Sequence, residues 1–116
     1  MPRFFVSYDI QKTTPDPHST FLDLATDYGF DVWLRMKDGE LRRLPNTTLV
    51  GSFPLVDDAH KAFYRLVAAT TKEVGRKVVV EKVLIVKSAG PAMLKSDKKK
   101  PKSLRLLEIV KKAQRR

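Results

Sequence analysis

From its first residues the chain alternates with a period of two. In residues 3–10, Arg-Phe-Phe-Val-Ser-Tyr-Asp-Ile, one set is Phe4, Val6, Tyr8 and Ile10, and the other is Phe5, Ser7 and Asp9. Successive side chains of a strand point to opposite faces, so the first set predicts a core-facing side. The second set mixes one aromatic ring with two polar groups. It suits a face covered by a partner or by nucleic acid better than one left to plain solvent.

The period then changes. Residues 11–16 read as a loop, and Asp16-Pro17 is a helix start, a side-chain cap followed by a ring fixed near helical φ. Phe21, Leu24, Ala25 and Tyr28 follow at helical spacing, and Gly29 fits the left-handed stop. A helix is predicted at 17–28. Val32, Leu34 and Met36 alternate with Trp33, Arg35 and Lys37, which predicts a strand with one largely basic face. Asp38-Gly39 is a hairpin turn, and residues 40–44 return as a short strand ended by Pro45. Residues 47–53 are rich in β-branched side chains and predict another strand, with Gly51 inside it as a bulge or a close backbone approach.

A second helix follows residues 54–58, with Asp57 as the expected cap. Its buried stripe is Ala59, Ala62, Phe63, Leu66, Ala69 and Thr70, and Gly75 is its stop. Residues 76–87 carry Val78, Val79, Val80, Val83, Leu84, Ile85 and Val86, the strongest strand signal in the chain. A strand apolar on both faces is expected to be covered on both. Residues 88–102, with Gly90-Pro91 and a lysine run before Pro101, predict a linker. Residues 103–116 predict a short basic amphipathic helix with Leu104, Leu107 and Val110 along one side. A helix this short is marginal alone and needs a docking surface, a dimer partner or a ligand.

The element order is strand, helix, strand with its hairpin, strand, helix, strand. It predicts an α+β fold of the ferredoxin-like, split βαβ kind: an antiparallel sheet with two helices on one face, plus the basic C-terminal tail helix. Right-handed crossovers would place the first strand in the middle of the sheet and leave its Phe5–Ser7–Asp9 side open. The division is a ferredoxin-like domain at 1–87 and a basic linker and tail at 88–116.

Charge sharpens that division. The chain of 116 residues has a formal net charge of +10. Residues 1–86 hold 12 Lys/Arg and 11 Asp/Glu, a net of +1; residues 87–116 hold 11 and 2, a net of +9. A near-neutral body with a basic tail suggests an arm for a polyanion, or else a solubilising tail. There is no cysteine, which excludes a disulfide framework and a thiolate metal site. No stretch approaches a membrane span, so a soluble, cytoplasmic protein without a membrane partner is expected.

Three sets of side chains carry candidate chemistry. Asp9, at the end of a central strand, is held by a rigid element and is a candidate catalytic group and Mg²⁺ ligand; Mg²⁺ keeps several waters and needs only one or two carboxylates. A symmetric homodimer would bring two copies of Asp9 together. The plain alternative is a strand-end Asp accepting loop hydrogen bonds. Arg35, Lys37, Arg42 and Arg43 cluster in the hairpin near Trp33, where basic groups beside a ring can hold phosphates and stack a base. The plain alternative is an edge hairpin whose charges discourage aggregation. Lys98, Lys99, Lys100, Lys102, Arg105, Lys111, Lys112, Arg115 and Arg116 form a broader phosphate-binding set, giving salt-sensitive affinity without sequence preference. His18 and His60 have no metal-ligand spacing and read as surface helix residues. No Gly-rich phosphate loop and no Gly-x-Ser-x-Gly serine is present.

The segment Phe-Val-Ser-Tyr-Asp-Ile, residues 5–10, resembles the first strand of the small CRISPR-associated adaptation nucleases, which ends in a similar Tyr-Asp-Ile. A looser likeness is to the GhoS-type antitoxin endoribonucleases: a short hairpin with Gly39 and Leu44-Pro45, then residues 47–53 and the second helix. The resemblance covers residues 3–87 in topology. It implies a dimeric ferredoxin-like protein acting on nucleic acid, RNA or DNA, with Asp9 aligned to the family carboxylate that binds metal at the dimer interface. Only Asp9 carries over, and the tail after Lys87 is unlike either family's usual ending. Two function classes follow as expectations. One is a nucleic-acid-binding protein acting as a Mg²⁺-dependent endoribonuclease. The other is a non-enzymatic homodimeric or antitoxin-like adaptor whose tail helix docks on a protein partner.

Overall fold

In the computed structural model the described residues are 1–88 together with Leu94 and Ser96. The alternating segment at the start forms β1, Arg3–Ile10. It lies inside a four-stranded sheet of order β2-β5-β1-β6, in which β2 is Phe30–Asp31, β5 is Thr48–Ser52 and β6 is Val80–Ser88. Every neighbouring pair is antiparallel. Helix α1, His18–Ala25, joins β1 to β2, and helix α2, Val56–Val74, joins β5 to β6. Each connection passes over one intervening strand, which puts β1 in the middle as expected. Among the described residues the molecule is a mixed α+β structure with an antiparallel sheet and two α-helices.

Both helices bury their apolar stripes against the same side of the sheet. Val6, Tyr8 and Ile10 of β1, Leu49 of β5, Phe21 and Ala25 of α1, and Ala62, Phe63, Leu66 and Val67 of α2 share one core. At its centre the rings of Tyr8 and Phe21 lie 4.8 Å apart, and each is 5.8 Å from Phe63. These separations fall in the range where tilted rings attract. The stripe of α2 is as expected except that Val67 takes the buried place given to Ala69, which is half-buried.

Helix ends follow local chemistry. The His18 backbone N–H donates to Asp16 Oδ1 at 3.1 Å, and the His18 ring bonds the same oxygen. The ring bond first, then the backbone bond, hold the Asp16 carboxyl below its ordinary range. Past α1 the chain tightens into a 3₁₀ turn, Thr26–Tyr28, and stops at Gly29 with φ +89°. The expected Asp57 cap on α2 is corrected. The helix follows Leu55, whose N–H donates to Asp58 Oδ2 at 3.1 Å, and Asp58 N–H returns to the Leu55 carbonyl at 3.1 Å. Asp58 sits at the third helical position, where a carboxylate reaches back to the turn.

The expected strand at 32–37 is corrected too. The sheet strand is only Phe30–Asp31, and the chain bends at Val32. Asp31 Oδ1 accepts the N–H groups of both Val32, at 2.7 Å, and Trp33, at 3.1 Å. A side chain that captures the next two backbone donors offers an alternative to the ladder. The hairpin therefore leaves the main sheet and forms its own pair, β3 (Trp33–Arg35) with β4 (Leu41–Arg43). Its turn is as expected, with Gly39 at φ +84° and Met36 N–H bonded to the Glu40 carbonyl at 2.8 Å.

The hairpin folds against the side of the sheet away from the helices. There Leu34, Leu44 and Val50 form a second, small core, joined by Phe5, Met36 and Leu94. Gly51, in the strand beneath, is a close approach: a Cβ there would lie 2.5 Å from the Gly29 carbonyl oxygen. The expectation that β6 is covered on both faces fails among the described residues. Val83 and Ile85 pack on the core, but Leu84 and Val86 are 61% and 48% exposed. Apart from Ser88, Leu94 and Ser96, the expected linker and tail helix lie outside the described residues. Among the described residues no helix is long and apolar enough to cross a membrane.

Candidate functional site

The sheet face not used by the helices is assembled by strand register. On β1 it carries Arg3, Phe5, Ser7 and Asp9. Opposite them on β6 stand Ser88, Val86, Leu84 and Lys82, and on β5 stand Ser52, Val50 and Thr48 against Arg3, Phe5 and Ser7. Directly opposed residues of antiparallel strands share a face. The surface is therefore apolar in the middle and polar at both ends, with the hairpin lying over its β5 side.

At one end Asp9 is exposed, opposite Lys82, with an irregularity in the ladder between Asp9 and Ile10. β1 places the carboxylate on the open face as expected. No group of three or more His, Cys, Asp or Glu side chains suited to a metal occurs among the described residues. One chain offers a single carboxylate here, opposite Lys82; a second copy contributing its own Asp9 would raise the number to two, and Mg²⁺ takes one or two carboxylates with its waters.

The hairpin cations do not form one basic face. Cross-strand pairing sets Trp33 opposite Arg43 and Arg35 opposite Leu41, whereas Arg42 stands opposite Leu34. Arg35 and Arg43 thus share the Trp33 side, and Arg42 has the other. Each arginine has a local partner. Arg35 Nη1 donates to the Gly39 carbonyl at 3.2 Å, Arg42 lies 3.7 Å from the Asp38 carboxylate, and Arg43 Nη1 donates to the Val32 and Leu44 carbonyls at 3.3 and 3.4 Å. Lys37 is exposed in the turn.

Arg43 also reaches the core edge. The Tyr8 phenol is pushed up to about 12 by burial, and the positive charge of Arg43 opposes that shift. Beside it the β4–β5 turn carries Thr47 at φ +61°, whose carbonyl accepts the Tyr8 N–H at 3.0 Å. A β-branched residue in the left-handed region is strained, and such strain is held only where the surroundings fix it.

At the other end of the face lies a feature outside the candidate set drawn from the sequence. Arg3 and Arg35 both line an open groove of about 450 Å³, with Asp31, Gly29, Gly51 and Ser52 among its walls. Arg3 Nη2 donates to Ser88 Oγ at 3.1 Å, and its guanidinium sits 5.1 Å from the Phe5 ring centroid. The signal was in the alternation itself, since Arg3 falls in the same period-two set as Phe5, Ser7 and Asp9.

The tail candidates, Lys98, Lys99, Lys100, Lys102, Arg105, Lys111, Lys112, Arg115 and Arg116, lie outside the described residues. His18 pairs with Asp16, and His60 stacks on Tyr64 at 4.9 Å on the exposed side of α2. Comparison with protein-family models, curated proteins and solved structures gives no match to the chain.

Proposed function

We propose that this protein binds nucleic acid on the sheet face its helices leave open, within a ferredoxin-like, split βαβ arrangement. The observation that carries the reading is the make-up of that face: the Phe5 ring with Arg3 against it, an apolar middle, and the hairpin arginines alongside. Aromatic rings beside cations hold single strands by stacking and by phosphate contacts. The +9 of residues 87–116 adds affinity without sequence preference. The Phe-Val-Ser-Tyr-Asp-Ile resemblance to CRISPR-associated adaptation nucleases, and the hairpin likeness to GhoS-type antitoxin endoribonucleases, point the same way. The test is a salt titration of binding to a labelled single-stranded RNA, for the full chain and for residues 1–87. Single-strand affinity falls with a log–log slope of about −0.7 per phosphate contact, so loss of the tail should flatten the slope. Absent binding at low salt sinks the reading.

The catalytic form of the proposal is a Mg²⁺-dependent endoribonuclease in which two copies of Asp9 meet in a homodimer. RNA cleavage is measured with and without Mg²⁺, for wild type and Asp9→Ala. Equal cleavage by both proteins removes Asp9 from catalysis.

A second reading is favoured by the exposure of Leu84 and Val86. In it the same face is a protein-docking or homodimer surface, and the protein is a non-enzymatic adaptor. Leu84→Lys separates the two: it breaks a homodimer and leaves phosphate binding intact or stronger.

A further inference from the structure

We propose that the groove between Gly29, Gly51 and the hairpin is a subsite for one nucleotide of a strand. In it Arg3 and Arg35 hold the phosphodiester, and Asp31 accepts a hydroxyl or amino hydrogen of the same nucleotide. The proposal deepens the nucleic-acid reading and rests on it.

Four observations converge. The volume, about 450 Å³, lies within the range of small-molecule sites. Both arginines are positioned by contacts that leave donors over. Among the described residues Arg3 uses Nη2 on Ser88 and Arg35 uses Nη1 on the Gly39 carbonyl, whereas a guanidinium carries five N–H groups suited to paired oxygen acceptors. Asp31 lines the groove, and both backbone N–H groups it binds fall on Oδ1, so its Oδ2 takes part in neither bond. Two cations and one carboxylate leave a local charge of +1, which complements the single negative charge of a phosphodiester better than that of a bare phosphate dianion.

The test uses the ¹⁵N-labelled full chain with three probes: inorganic phosphate, adenosine 5′-monophosphate and a short single-stranded oligoadenylate. The oligonucleotide is expected to shift the amides of Gly29, Gly51 and Ser52. Arg35→Gln, at an exposed side chain, is expected to weaken it about tenfold, the scale of one lost charge-assisted hydrogen bond. Asp31→Asn keeps an oxygen for the Val32 and Trp33 donors. It is expected to weaken the oligonucleotide and the mononucleotide and to leave inorganic phosphate unchanged. Oligonucleotide binding that leaves these amides unmoved, or that Arg35→Gln does not weaken, overturns the subsite but not the nucleic-acid reading. Groove shifts with adenosine 5′-monophosphate and no oligonucleotide binding overturn the reading of a strand and leave a free-nucleotide site. Inorganic phosphate as tight as the mononucleotide overturns the role of Asp31. No binding of any probe overturns both.

Discussion

Gly51→Ala tests the close packing of β5 against the turn that delivers β2 to the sheet. Gly51 sits in β5 between Phe4 of β1 and Phe30 of β2, with no positive φ to defend. A methyl group there meets the Gly29 carbonyl oxygen at 2.5 Å and Phe53 Cε2 at 2.7 Å. The phenyl ring can turn away. The carbonyl cannot move alone, because Gly29 closes the turn that delivers β2 to the sheet. Overpacking of this kind costs about 1–3 kcal/mol, and a backbone obstacle places it near ~3 kcal/mol. Against this, alanine restricts the unfolded chain and returns about 0.4–1 kcal/mol. The expected net loss is about 2 kcal/mol, or a fall in Tm of roughly 8 °C for a chain of this size. Urea unfolding of wild type and variant, with the midpoint shifted and the slope unchanged, reads it directly. Gly39→Ala is the comparison: nothing lies within 4 Å of its Cβ, so only its φ of +84° carries a cost, about 1–2 kcal/mol. A Gly51→Ala protein within about 0.5 kcal/mol of wild type, the range of ordinary surface changes, would refute the close β2–β5 approach.

Phe63→Ala removes a fully buried ring that touches both Tyr8 and Phe21. It should destabilise by about 3–5 kcal/mol in denaturant unfolding, with α1 and α2 losing cooperativity together. Tyr8 supplies a pH signature. Its phenol has a folded value of about 12 against an ordinary 10.0, so the folded state keeps the proton longer than the unfolded chain does. That stability is whole below pH ~10 and is lost as pH rises towards ~12, by about 2–3 kcal/mol. Unfolding followed across that window should show the decline in wild type and a smaller one in Tyr8→Phe; equal slopes would place the phenol in solvent.

The alternation of residues 3–10 was enough to place β1, to assign Val6, Tyr8 and Ile10 to the core and to leave Phe5, Ser7 and Asp9 on the other side. Gly29, Gly39 and Gly75 were legible because each closes an element at positive φ. What period and propensity did not carry was the break after Asp31. It depends on one carboxylate taking two backbone donors, and a pattern of apolar positions is blind to that. The same break turned the hairpin out of the sheet; its arginines split for a simpler reason, since adjacent strand residues alternate and put Arg42 on the Leu34 side and Arg43 on the Trp33 side. Arg3 was missed for a different reason. It lies in the right alternating set, but its neighbour in the groove, Arg35, is 32 positions further along the chain and is brought close only by the fold. The apolar richness of β6 suggested cover on both sides; β6 is the last strand in the sheet order, and its outer face is left with Leu84 and Val86 exposed.

The central claim is that nucleic acid meets the sheet on the side away from α1 and α2. Backbone hydrogen exchange of the full chain, with and without a saturating single-stranded RNA, tests it directly. Added protection is expected along β6 at Lys82–Val86, in β1 around Ser7 and Asp9, and in the hairpin from Trp33 to Arg43. Protection confined to the outer surfaces of α1 and α2, or no change at a concentration where RNA is bound, would contradict it.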